Sequence, residues 1–279
     1  MGEARQKKAA TFAQLRNGFC VLCGGTVAAQ TVEHIPPRIF YIDKARPKGN
    51  EVSACSRCNH RSASADQIAA LVCVSMKSSH RKDVPDTYFK KLLNGVRNNN
   101  PNVISYIGVG PAVPLRSSKY LILPNPNVAV KINPKLWTEY LNPWAAKQAI
   151  ALYNIESGCV FPDTGIVFVN WFTNYQISLG KYPKEILEGL DHYRVLKNGK
   201  IETADQFHYN YFLIEDINAM VCMMGMQDSA IVFSMSFANE SDVPSNHALW
   251  SLPSFRTNAI DGIVESSSSS RIRKTPATQ

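Results

Sequence analysis

No stretch of this chain approaches the run of about 20 apolar residues that a membrane-spanning helix needs. Its opening residues, Met-Gly-Glu-Ala-Arg-Gln-Lys-Lys, lead into no apolar signal core, so a cytoplasmic protein without a membrane partner is expected. No internal repeat is visible. The βαβ unit beside a single Cys-x-x-Cys pair that a thioredoxin-type redox role needs is not evident either. Acidic residues are scarce in the first hundred positions, 7 Asp+Glu against 16 Lys+Arg, whereas the remaining 179 positions hold 15 against 14. The basic excess of the chain, +8 overall, therefore sits entirely in its first third. A polyanionic partner fits that asymmetry, because phosphate neutralisation supplies most non-specific nucleic-acid affinity. The competing explanation is a set of solvated lysines that only keep the protein soluble.

What is present starts with cysteine. Of seven cysteines, four form two Cys-x-x-Cys pairs, Cys20/Cys23 and Cys55/Cys58, with 31 residues between them. That gap accommodates a hairpin and a loop, so the pairs can close a tetrahedral, structural Zn2+ site that staples two remote segments. Cys73, Cys159 and Cys222 are scattered and read as buried thiols rather than disulfides. Between the pairs lies Thr31-Val-Glu-His-Ile-Pro-Pro-Arg38. Its acid-His pair, Glu33-His34, rides on a run that must end at Pro36-Pro37, since proline continues neither a ladder nor a helix. The second cysteine pair runs directly into Asn59-His60-Arg61, where a helix can start. A carboxylate, an imidazole and an amide brought to one metal-stapled spot suit phosphodiester hydrolysis. Neutral imidazole is the group best matched to taking a proton near neutral pH.

Over residues 18 to about 68 the arrangement resembles the HNH endonuclease family. The matching residues are Cys20-Val-Leu-Cys23, Glu33-His34-Ile-Pro-Pro37, Asn50 five residues before the second pair, and Cys55-Ser-Arg-Cys58-Asn59. The resemblance implies an α+β chain whose N-terminal part is a zinc-stapled, treble-clef-like ββα-metal motif. It implies His34 as general base, with Glu33 and Asn59 holding a catalytic Mg2+ or Mn2+ through oxygen, which hard cations prefer. Asn50 would pin the loop and orient His34. Arg38, Arg57, His60 and Arg61 are candidates for nucleic-acid contacts, DNA before RNA. By family analogy such an enzyme would serve prokaryotic defence or a mobile element. Plainer roles exist for the same residues: Asn50 as a turn residue beside Gly49, Asn59 as a helix N-cap, and the whole as a catalytically silent zinc-stabilised nucleic-acid-binding module. Asp66, seven residues after Asn59 on the same helical face, could support the ion from one layer out. His80, His192, His208 and His247 have no partner at ligand spacing.

The rest of the chain reads as one further α+β region. A basic leading helix is expected over 1–16, a helix over 58–76 and a short one over 86–93. The segment 94–101, Asn-Gly-Val-Arg-Asn-Asn-Asn-Pro, is a loop signal and the expected boundary between a nuclease domain, 1–97, and a C-terminal domain, 101–258. Short strands are expected over 103–109, 119–123 and 128–132, a helix from Asn142-Pro143 to about 153, a strand over 165–171 and a helix over 183–192. An antiparallel meander follows over 207–214, 219–226 and 230–237. In its last strand Ile231, Phe233, Met235 and Phe237 alternate with Ser234 and Ser236, as in a half-buried strand. The serine-rich, basic tail, 265–279, should be disordered.

Overall fold

A computed structural model describes residues 14–15, 18–42, 46–47, 49–77, 85–108, 120–122, 129–190, 192–195, 197–198, 201–245 and 247–257. The leading helix, apart from 14–15, and the tail from 265 lie outside the described residues. The chain is mixed α/β with antiparallel sheets.

β1 (Thr31–His34) and β2 (Glu51–Ala54) pair antiparallel, with Thr31 opposite Ala54 and His34 opposite Glu51. β1 stops at His34 because Pro36 and Pro37 follow; the Ile35-Pro36 bond is cis. α1 (Ser56–Met76) starts two residues earlier than the sequence suggested, with Cys55 as its N-cap. α2 (Asp86–Asn99) packs beside α1 through Leu92 and Val96, four residues apart on one face. The expected loop at 94–101 is therefore corrected: all of 94–99 is helical. Asn and Gly are poor helix formers, but Val96 is fully buried there and the Asn99 side-chain amide donates to Gln67 Oε1 at 3.0 Å. Packing overrides propensity, and the helix breaks only at Asn100, ahead of Pro101.

β3 (Ile107–Gly108), β4 (Tyr120–Ile122) and β5 (Ala129–Ile132) form a small sheet in the order β3-β5-β4. A short helical turn, Pro134–Leu136, and a π-helical stretch, Trp137–Leu141, lead into α3 (Asn142–Ser157), closed by Gly158 in the left-handed region at φ 72°. Every residue from Asn142 to Tyr153 is buried, as expected of a helix that lies between other layers. A six-stranded antiparallel sheet, β13-β6-β12-β11-β10-β7, packs on it. Its strands are β6 (Ile166–Phe172), β7 (His192–Val195), β10 (Phe207–Ile214), β11 (Ala219–Met226), β12 (Ala230–Phe237) and β13 (Ser254–Phe255); β8 (Lys197–Asn198) and β9 (Ile201–Glu202) pair separately. The meander is present as expected. The helix expected over 183–192 is shorter, Lys184–Glu188, and β7 begins at His192.

One reading of the meander is overturned. Ser234 and Ser236 are 0% exposed. β12 is a central strand with buried neighbours on both faces: Ala230 and Val232 join the main core, while Phe233 and Phe237 join smaller clusters on the other side. The small serines sit on the face turned to the alanine-rich α3, and Ser234 Oγ donates to Cys222 O at 3.5 Å. Cys159 is likewise exposed rather than buried; Cys73 and Cys222 are buried.

The main core crosses position 100 without a break. Phe40, in the turn after β1, stacks on Trp144 of α3 at 4.8 Å between ring centroids, and Trp144 meets Trp171 of β6 at 5.9 Å. Polar ties run the same way: Gln227 Nε2 donates to Phe40 O (2.6 Å), Ile42 N–H to Gln206 Oε1 (2.9 Å) and Ser229 Oγ to Cys73 O (2.8 Å). Among the described residues, no helix is long and apolar enough to cross a membrane.

Trp144 thus joins the motif to the sheet, and Trp144→Ala should cost about 3–5 kcal/mol. Urea unfolding of wild type followed by far-UV and tryptophan signals should give one shared transition. Two separable transitions would mean that the two parts fold independently.

Candidate metal and catalytic site

The first cysteine pair lies on a tight knuckle. Cys20 N–H donates to Val27 O at 2.7 Å and Gly25 N–H to Cys20 O at 2.9 Å, while the chain reverses through Gly24 and Gly25 at φ 68° and 73°. Glycine is required at Gly24 twice over, since a Cβ there would also stand 2.9 Å from the Asp163 backbone nitrogen. The second pair sits at the N-terminus of α1, where Cys58 N–H donates to Cys55 Sγ at 3.4 Å. All four Sγ atoms lie within 4.8 Å of one another. A tetrahedral zinc with bonds near 2.3 Å would set them about 3.8 Å apart, so the cluster fits a metal ion such as zinc. The contact between Cys20 and Cys58 lowers the pKa of the Cys20 thiol and raises that of Cys58.

Next to this cluster, β1 and α1 form a cleft of about 360 Å³ that Glu33, His34, Arg38, Asn59, Asp66 and Gln67 line. Asn59 and Asp66 are two helical turns apart and share a face. The Asn59 Nδ2 donates to Thr31 Oγ1 (3.0 Å) and Val32 O (3.4 Å), which fastens α1 to β1. The structure thus brings Glu33, His34 and Asn59 to one place, with Arg38 at its edge. Arg57 and His60 are exposed on the first turns of α1 and Arg61 is half-buried; none of the three lines the cleft. His60 Nδ1 lies 2.6 Å from Ser56 O.

Asn50 contributes through its backbone. Ile35 N–H donates to Asn50 O at 2.9 Å, pinning the chain just after His34, while the Asn50 side chain lies by the Tyr209 hydroxyl. The side chain that faces His34 is Glu51, directly across the ribbon, with Oε1 3.7 Å from Nδ1. Glu51 is itself held by the Gly49 N–H (2.9 Å) and by Arg46 (3.3 Å). The strand register thus sets Glu51, rather than Asn50, directly across from His34.

The residue that sequence reading missed is Lys147. Only 1% exposed on α3, it reaches into the motif from 114 residues away. Its Nζ donates to Glu33 Oε1 (3.0 Å), Ser62 Oγ (2.7 Å) and Asp66 Oδ1 and Oδ2 (3.0 and 3.2 Å). Burial alone would drive the ammonium to lose its proton, but Asp66 and Glu33 more than offset this and hold its pKa above the ordinary lysine value. Burial conversely lifts Asp66 to about 6, with Lys147 opposing the rise. Two carboxylates against one ammonium leave a net negative charge in the cleft. No protein donor to Glu33 Oε2 or Asn59 Oδ1 occurs among the described residues. Oxygen donors beside residual negative charge suit a hard cation such as Mg2+ or Mn2+.

Lys147→Met should leave two carboxylates buried without a counter-charge and lower stability by about 3–5 kcal/mol. Adding Glu33→Gln and Asp66→Asn to it should recover most of that loss. A urea midpoint for Lys147→Met within about 1 kcal/mol of wild type would show that the clamp does not form. No family model, curated protein or solved structure matches this chain, so the reading of the site rests on its own residues.

Proposed function

We propose that this protein is a metal-dependent phosphodiesterase of the HNH endonuclease type, acting on nucleic acid, DNA before RNA. The carrying observation is the convergence of Glu33, His34 and Asn59 on one cleft beside the four-cysteine cluster. The cluster lies in the third of the chain that holds all of its basic excess. In this reading the cysteines hold a structural zinc with no open coordination position. Glu33 and Asn59 would hold Mg2+ or Mn2+, which would supply charge neutralisation at the phosphate and the leaving oxygen.

His34 takes the proton of the attacking water through the ring nitrogen opposite Nδ1, while Glu51 steadies the ring from the Nδ1 side. The water oxygen bonds to phosphorus as the bond from phosphorus to the 3′ oxygen breaks. Lys147 fixes the Glu33 carboxylate in place. Arg38 meets a backbone phosphate at the cleft edge, and Arg57, His60 and Arg61 extend the basic surface along α1. The second reading is a silent nucleic-acid-binding module, favoured by the Lys147 ammonium already standing against Glu33.

Zinc-loaded protein with supercoiled plasmid separates the two. Cleavage should require Mg2+ or Mn2+ and fall roughly 10²–10⁴-fold in His34→Ala, with one zinc per chain retained. Asn59→Ala should also be slow but partly restored by excess Mn2+. DNA binding without cleavage in either metal would favour the silent module. Wild-type rates in His34→Ala would move the site elsewhere.

A further inference from the structure

Beside the cleft, and sharing Arg38, Ile39 and Gln67 with it, lies a pocket of about 720 Å³. It is walled by the turn after β1, by α1 and by α2. That volume falls in the range typical of small-molecule sites, about 300–1,000 Å³. Among the described residues, those that line it include two cations, Arg38 and Lys91, and no acid. They also include two tyrosines of different character. Tyr88 is fixed, because its hydroxyl donates to Ile39 O at 2.5 Å. Tyr41 is 1% exposed, and its hydroxyl has no hydrogen-bond partner among the described residues. A partly exposed aromatic ring, Tyr88, beside the two cations describes a receptor for a base joined to a phosphate.

We infer that this pocket takes one unstacked nucleotide of the substrate strand, its base against the half-buried Tyr88 ring and its phosphate toward Arg38 and Lys91. The inference deepens the phosphodiesterase reading and rests on it for the identity of the strand. A base drawn into this pocket cannot remain stacked in a duplex beside the cleft. The substrate is then single-stranded there, or a duplex from which that nucleotide is extruded.

The test reads binding and cleavage separately on the full, zinc-loaded chain. A 2′-deoxynucleoside 5′-monophosphate, 2-deoxyribose 5-phosphate and inorganic phosphate are each titrated by calorimetry. The nucleotide should bind at least about fivefold tighter than the sugar phosphate, the least that one base–aromatic stack contributes. Gly95→Leu should fill the pocket: a Cβ there meets nothing nearer than Gln67 at 3.8 Å, so the helix accepts it. This variant should lose the preference for the nucleotide with no drop in melting temperature. Lys91→Ala, an exposed change on α2, should weaken both the nucleotide and the sugar phosphate. Equal binding of nucleotide and sugar phosphate, or a preference that survives in Gly95→Leu, overturns the inference. If Gly95→Leu melts lower, unchanged binding in Lys91→Ala overturns it instead. Plasmid cleavage without nucleotide preference would sink the pocket and spare the nuclease reading. Preference without cleavage would do the reverse.

Discussion

Lys147 has to keep its charge where almost no water reaches it, and that requirement shapes everything around it. An ammonium taken out of water is costly unless close, well-aligned anions surround it. Glu33 from β1 and Asp66 from α1 supply the charge, and Ser62 a further acceptor. The hairpin, α1 and α3 must therefore approach at a fixed separation. Removing Lys147 would leave two buried carboxylates with no counter-charge. The arrangement is weak as a source of net stability and strong as a constraint on geometry, because few alternative packings satisfy all three groups.

The apolar packing reinforces the same geometry. Phe40, Trp144 and Trp171 form a continuous aromatic path from the motif through α3 to the sheet. Alanines on α3 and serines on β12 let helix and sheet come close. The C-terminal sheet thus serves the cleft indirectly: it fixes α3, and α3 delivers Lys147. A site whose carboxylate is set from a remote helix depends on both parts of the chain.

Much of the motif was legible because its chemistry is local. The two cysteine pairs, the strand ended by Pro36-Pro37, the helix after Cys58 and the 207–237 meander all follow from spacing and period. What escaped was non-local. A signal for Lys147 did exist: one cation in Trp144-Ala-Ala-Lys-Gln-Ala149, a stretch with no polar face, must find a buried partner. Nothing in the sequence could say that the partners were Glu33 and Asp66. Glu51 was passed over because strand register, not spacing, sets it opposite His34. Ser234 and Ser236 looked outward because alternation marks two faces without saying that both are covered. The helix over 94–99 ran against its propensity because Val96 had a core to enter.

The central claim is that the cleft between β1 and α1 is a hard-metal centre distinct from the cysteine cluster. Electron paramagnetic resonance of Mn2+ titrated into zinc-loaded protein measures this directly and without any substrate. The account predicts one Mn2+ bound per chain with zinc undisturbed, weakened at least about tenfold in Glu33→Gln and in Asn59→Ala, as expected when a ligand is lost. Absence of Mn2+ binding, or binding that both variants leave unchanged, would contradict it.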